Sequence, residues 1–87
     1  MLMAKVIGSI VSTQKEETLV GKKLMIVQYV DHQGALLEGK EVACDAVGSG
    51  VGEYVLVTRG HGARAAFDPK ENVIDLSIVA IIDRFDE

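Results

Sequence analysis

Near the C-terminus lies Val73-Ile-Asp-Leu-Ser-Ile-Val-Ala-Ile-Ile82, a run rich in β-branched residues that is apolar on both of its alternating faces. Even positions give Ile74, Leu76, Ile78, Ala80 and Ile82; odd positions give Val73, Asp75, Ser77, Val79 and Ile81. A strand with one wet face alternates apolar and polar side chains, and this one does not. Val79 and Ile81, read as lying opposite the core-facing set, therefore need cover of their own. The alternatives are a short helix of the same chain or another subunit, and the size of the chain favours the second. At 87 residues it buries only about 60% of the surface its unfolded form exposes, while 48% of its residues are hydrophobic. Small domains in this position rely on disulfides, metals or oligomerisation. Cys44 is the one cysteine, so no intrachain disulfide forms, and two histidines with one cysteine do not complete a structural zinc site.

The rest of the chain is also mostly strand. β-branched content and turn residues place strands over roughly Met3–Ser12, Lys23–Asp31, Lys40–Ala46, Glu53–Arg59 and Asp75–Phe85. Thr13–Thr18 is a polar loop, and Asp31-His-Gln-Gly34 is a turn with His32 at a solvated hairpin tip. The Ala-rich half of Gly60–Phe67 can form one or two helical turns before Asp68-Pro69. Val6 and Ile10 share one face of the first strand, opposite Ile7 and Val11; Leu24 and Ile26 oppose Met25, Val27 and Tyr29 in the second. Many short strands with Gly-rich turns indicate a sandwich or small barrel. The fold class expected is all-β: a five-stranded OB-like β-barrel with one short helix, a single domain spanning 1–87.

Charge and motifs narrow the function. A net charge of −4 disfavours nucleic-acid binding, which needs clustered Lys and Arg. The longest apolar run, Ile78–Ile82, is far short of the ~20 residues of a membrane span, and no signal peptide is evident, which makes the cytoplasm the expected compartment. Gly48-Ser-Gly-Val-Gly52 has the spacing G-x-G-x-G and leads into a strand, whereas a dinucleotide fingerprint is G-x-G-x-x-G before a helix. Tight turning, or close backbone approach between subunits, explains Gly48, Gly50 and Gly52 better. Cys44, Asp45, His32 and His61 include the ingredients of nucleophilic catalysis, but nothing in their spacing brings them together. Cys44 shares a predicted strand face with Val42 and Ala46 and reads as a buried, inert thiol. Arg59 and Arg64 flank a small-residue loop and suit a salt bridge or carbonyl clamp at a subunit contact; His61 between them is a candidate pore-proximal residue. No metal or cofactor site is expected.

Several segments in this order resemble the EutN/CcmL family of bacterial microcompartment vertex proteins. They are Ala4-Lys-Val-Ile-Gly8, Leu19-Val-Gly-Lys-Lys-Leu24, Val42-Ala-Cys-Asp-Ala-Val-Gly-Ser-Gly-Val-Gly-Glu53, Arg59-Gly60, Ala63-Arg64 and Val79-Ala-Ile-Ile-Asp83. The family commonly has Ala where this chain has Ser49, and small residues where it has His61-Gly62. The resemblance implies a non-catalytic shell protein whose C-terminal strand helps join subunits into a homopentamer capping the five-fold vertices of a carboxysome or metabolosome, in contact with hexameric shell proteins. Subunit-contact candidates are then Gly48, Gly50, Gly52, Arg59, Arg64, Val79, Ala80, Ile81 and Ile82. Two other functions compete: an OB-fold binding module for single-stranded nucleic acid or oligosaccharide, and a small enzyme using Cys44 or His61.

Overall fold

A computed structural model describes residues 1–13, 15, 17–60, 63, 66 and 74–86. Its strands are β1 (Leu2–Ile10), β2 (Lys23–Val30), β3 (Leu36–Asp45), β4 (Tyr54–Arg59) and β5 (Leu76–Ile82), with a single 3-10 turn at Glu17–Leu19. They close in the order β1-β2-β3-β5-β4, and β4 returns to β1. Every contact is antiparallel except β3 with β5, which is parallel and restricted to Cys44↔Ser77 and Asp45↔Ile78. The barrel is the expected OB-like fold. The proposed helical turns in 60–67 fall largely outside the described residues.

Each strand contributes to one core: Ala4 and Val6, Met25 and Val27, Ala43, Val55 and Val57, Leu76 and Ile78. Val6, Val27, Val55, Val57 and Ile78 are wholly buried; each such side chain contributes about 1.5–3 kcal/mol relative to exposure. A smaller cluster lies on the outer surface, where Ala63 and Ile74 cover Cys44 beside Leu19 and Leu24. Ser77 also faces this layer, its hydroxyl donating to the Ala63 carbonyl at 2.6 Å. Burial there pushes the Cys44 thiol pKa up, which suppresses the reactive thiolate.

Two β-bulges change which residues face the core. In β5, Leu56 pairs with Ala80 but Val57 pairs with Ile78, so Val79 has no opposite residue. An extra residue reverses the alternation beyond it. Ile81 therefore pairs with buried Val55 and packs against the core, while Ala80 and Ile82 take the outer side. This corrects the expectation that Ile81 faces away from the core and that Ala80 and Ile82 face it. In β1 the shift falls at Ile7, between Val6↔Val27 and Gly8↔Ile26. Ile10 pairs with Leu24 on the outside and does not share the face of Val6.

β3 begins four residues earlier than expected. Leu36 pairs with Val30 and Lys40 with Gln28, and the irregularity between them is taken up around Gly39, at φ +108°. A Cβ at Gly39 would lie 3.2 Å from the Tyr29 ring, so both conformation and space call for glycine.

Candidate assembly surfaces

The outer face of β1, β4 and β5 carries two rows of side chains. Met3, Leu56 and Ala80 lie side by side, and Lys5, Tyr54 and Ile82 form the next row. All six are half-buried. The Lys5 ammonium sits over the Tyr54 ring, 5.4 Å from its centroid, and Phe85 packs edge-on against the same ring at 5.4 Å. The C-terminal segment thus lies back on the barrel and extends an apolar outer face built around β5. Val79, Ala80, Ile81 and Ile82 are all half-buried, with Ile81 directed inward.

The Gly48–Gly52 loop is anchored from several sides. Ala46 N–H donates to Ile78 at 3.1 Å, Gly52 N–H to Val6 at 2.8 Å, and Val6 N–H to Glu53 at 2.9 Å. Asp45, its side chain 1% exposed, accepts from Val47 N–H at 3.0 Å and lies 3.5 Å from the Lys23 ammonium. Lys23 also donates to the Ser49 carbonyl. Glu53 N–H donates to Gly50 at 3.1 Å, closing a turn with Gly52 in third place at φ +96°, where a type II turn requires positive φ. A Cβ at Gly48 or Gly52 would meet nothing within 4 Å. Within one chain these two glycines serve backbone conformation, at φ +79° and +96°, rather than close packing. The anchored loop holds Val47 and Val51 out to solvent.

Arg59 is engaged within its own chain. Its guanidinium grips Glu41, donates to the Tyr29 hydroxyl at 2.7 Å and reaches Asp75 at 3.3 Å. Tyr29 in turn donates to Glu41. Glu41 pairs with core-facing Val27, on the stretch of β3 that has left β5. Among the described residues main-chain pairing leaves this part of the β3–β5 seam open, and the cluster bridges it. The Arg59 and Tyr29 hydrogen bonds hold the Glu41 carboxyl below the usual carboxylate range, and Arg59 is held more firmly protonated. Burial first, and Glu41 second, push the Tyr29 hydroxyl up.

Arg64 and His61 lie outside the described residues. His32 is exposed at the β2–β3 turn, remote from Cys44 in the outer layer, and among the described residues no three His, Cys, Asp or Glu side chains cluster as a metal site. No helix among them is long and apolar enough to cross a membrane. Tyr29, Glu41 and Asp75 were not legible as a group, because they stand 30, 18 and 16 residues from Arg59 and only barrel register unites them.

A small closed barrel with an anchored glycine loop and an apolar outer face defines a structural building block. Comparison with known proteins agrees. Residues 1–83 match the family described as ethanolamine utilisation protein EutN/carboxysome. The chain is 48% identical over 83 residues to the carboxysome shell vertex protein CcmL of Synechococcus elongatus, covering 95% of this chain and 84% of that one. It is 47% identical over 87 residues to the microcompartment shell vertex protein PduN of Salmonella typhimurium, covering 95% and 96%. The solved GrpN pentameric microcompartment shell protein from Rhodospirillum rubrum superimposes with a TM-score of 0.91 at 38% identity, over 100% of this chain and 99% of that one. The chain belongs to the EutN/CcmL family of microcompartment shell proteins. It is a structural shell component rather than an enzyme, as its relatives are.

Proposed function

We propose that the whole chain, 1–87, acts as one vertex domain, that five copies close into a ring, and that the ring caps the five-fold positions of a microcompartment shell. The observation that carries this is the apolar outer face of β5, half-buried on one chain alone, on a barrel of the EutN/CcmL family. Flat sheets of hexameric tiles cannot close into a polyhedron without five-fold positions, so a ring of this kind supplies what the tiles lack. A cyclic head-to-tail interface closes only when the rotation per subunit matches the ring size.

In this account Ala80 and Ile82 supply the outward apolar contact, while Val79 and Ile81 set the course of β5 behind them. Gly48, Gly50 and Gly52 shape the loop that presents Val47 and Val51. Arg59 acts indirectly, by holding β3 in place for the contact. Arg64 and His61 remain candidates for the subunit contact and the ring opening, respectively. Hexameric shell proteins are the proposed partners around the ring, in the cytoplasm. Family membership favours this function over an oligonucleotide-binding barrel, and the net charge of −4 points the same way.

Co-expression with hexameric shell proteins tests the role. Closed shells are expected when this chain is present, and shells open at their vertices when it is omitted. Equally closed shells in both cases contradict it.

A further inference from the structure

At one end of the barrel β1 and β3 begin while β2 and β4 end, and the inward-facing rows of side chains change character there. Successive residues of a strand point to opposite sides. Leu2, Tyr29, Glu41 and Arg59 each stand two positions beyond a core residue, namely Ala4, Val27, Ala43 and Val57. They therefore continue the inner rows. The register agrees: Leu2 pairs with Val57, Tyr29 with Ala4, Glu41 with Val27 and Arg59 with Leu76, all four partners belonging to the core. Here the interior opens into a cleft of about 440 Å³ with mostly apolar walls, among them Leu2, Val30 and Leu37. Tyr29 and Arg59 line it as well, Tyr29 packing against the core, and exposed Glu38 stands beside them.

Small-molecule sites are concave and mainly apolar, about 300–1,000 Å³ in volume, with a few polar groups that fix orientation; the mouths of β-barrels are a common place for them. We propose that this barrel mouth binds a small, uncharged organic molecule, its apolar body against Leu2, Val30 and Leu37 and its carbonyl oxygen accepting a hydrogen bond from Arg59. The inference stands apart from the ring reading, because every residue it uses belongs to one chain.

Hydrogen bonding and charge at the polar side select that class. A guanidinium has five N–H donors. Among the described residues, the two terminal nitrogens of Arg59 make four hydrogen bonds, to Glu41, Tyr29 and Asp75, and Nε–H remains for a ligand. The Tyr29 hydroxyl already donates to Glu41 and accepts from Arg59, so the site offers a donor and calls for an acceptor. An anion fits poorly, since Glu41 and Asp75 already meet the charge of Arg59 and Glu38 adds a further carboxylate at the cleft. A cation would face the guanidinium itself. A carbonyl compound supplies the acceptor with no charge to desolvate.

Titration with cyclohexanone tests the site, followed by methyl NMR of the isotope-labelled protein in its native assembly state. Cyclohexanecarboxylate and cyclohexylamine present the same body with an anionic and a cationic head. Saturable shifts of the Leu2, Val30 and Leu37 methyl signals are expected with the ketone, and binding about tenfold weaker for either charged analogue. Leu37 is 47% exposed, so Leu37→Asp should leave the barrel folded while weakening ketone binding about tenfold. Absence of saturable shifts at these three residues, or shifts spread equally over outer-face residues such as Ile82, overturns the site. Equally tight binding of the carboxylate or the amine overturns the uncharged class of ligand. Unchanged ketone affinity in Leu37→Asp places the molecule elsewhere and overturns the proposal as well.

Discussion

Arg59, at the end of β4, reaches Glu41 of β3 beside the short β3–β5 contact, where main-chain pairing among the described residues is limited to Cys44 and Asp45. The same guanidinium holds Asp75 just ahead of β5, so one side chain ties three strands at the point where the sheet would otherwise open. Both partners are partly exposed, at 45% and 36%, and solvent screening limits what each pair contributes. Arg59→Ala is expected to destabilise the folded chain by about 1 kcal/mol. The loss should appear as a lowered denaturation midpoint.

The pH dependence follows from the same pair. Glu41 is held below its usual pKa of 4.5 by the Arg59 hydrogen bond and then by that of Tyr29. A depressed folded pKa means that the contribution is complete above the unfolded value and is lost as pH falls through the folded one. Asp31 is lowered as well, through the Gln33 and Ala35 amides, and acts with the same sign. Thermal stability should therefore fall on acidification below about pH 4.5, and Glu41→Gln should flatten that fall while lowering stability at neutral pH. An unaltered acid limb in Glu41→Gln would remove Glu41 from the account.

Much of the fold could be read from the residues, because five β-branched runs between turn signals leave few alternatives to a small barrel. The facing of side chains could not. Val73–Ile82 looks apolar on both sides partly because the bulge at Val79 switches its phase midway, and a bulge leaves no mark in a run of aliphatic residues. The first half of β3 was missed for a related reason. Glu38-Gly39-Lys40 resembles a loop, yet here Gly39 accommodates Tyr29 on the neighbouring strand. Cys44 is buried as expected, but because Ala63 and Ile74 cover it; Val42 and Ala46, the neighbours expected on its buried face, are exposed.

The inward turn of Ile81 separates two substitutions that look alike in sequence. Ile81→Asp places a charge against the core cluster and should cost several kcal/mol, within the roughly 2–7 kcal/mol for an unpaired buried polar group. Ile82→Asp lies on the outer face opposite Tyr54. It should leave the barrel folded and reduce the ring to smaller species. Circular dichroism and intact mass distinguish the two losses.

Ser49 is wholly buried and its hydroxyl has no hydrogen-bond partner among the described residues. Burying an unsatisfied hydroxyl costs about 1–3 kcal/mol. Ser49→Ala removes that cost with little change of shape, so it should stabilise the chain by about 1 kcal/mol, read as a raised midpoint in denaturant. A destabilised variant would show that the hydroxyl has a partner in the assembled ring.

Within the same loop, Gly48 and Gly50 should respond differently to alanine. Gly48 stands at φ +79° with open space around its Cα, so Gly48→Ala is expected to cost about 1–2 kcal/mol through backbone strain alone. Gly50 has no positive φ, and a Cβ there would rest in ordinary contact with Glu53, 3.5 Å away. Gly50→Ala should leave the isolated chain's stability within about 0.5 kcal/mol of the parent. Thermal denaturation of the two variants side by side checks the contrast.

The central claim is that this barrel works as one member of a ring, and its mass in solution tests that most directly. Native mass spectrometry at physiological ionic strength should give five copies of the 9.3 kDa chain, about 46 kDa for a closed cyclic assembly. A hexamer near about 56 kDa would keep the shell role but contradict the five-fold one. A stable monomer, with the outer face of β5 left bare, would contradict the account as a whole.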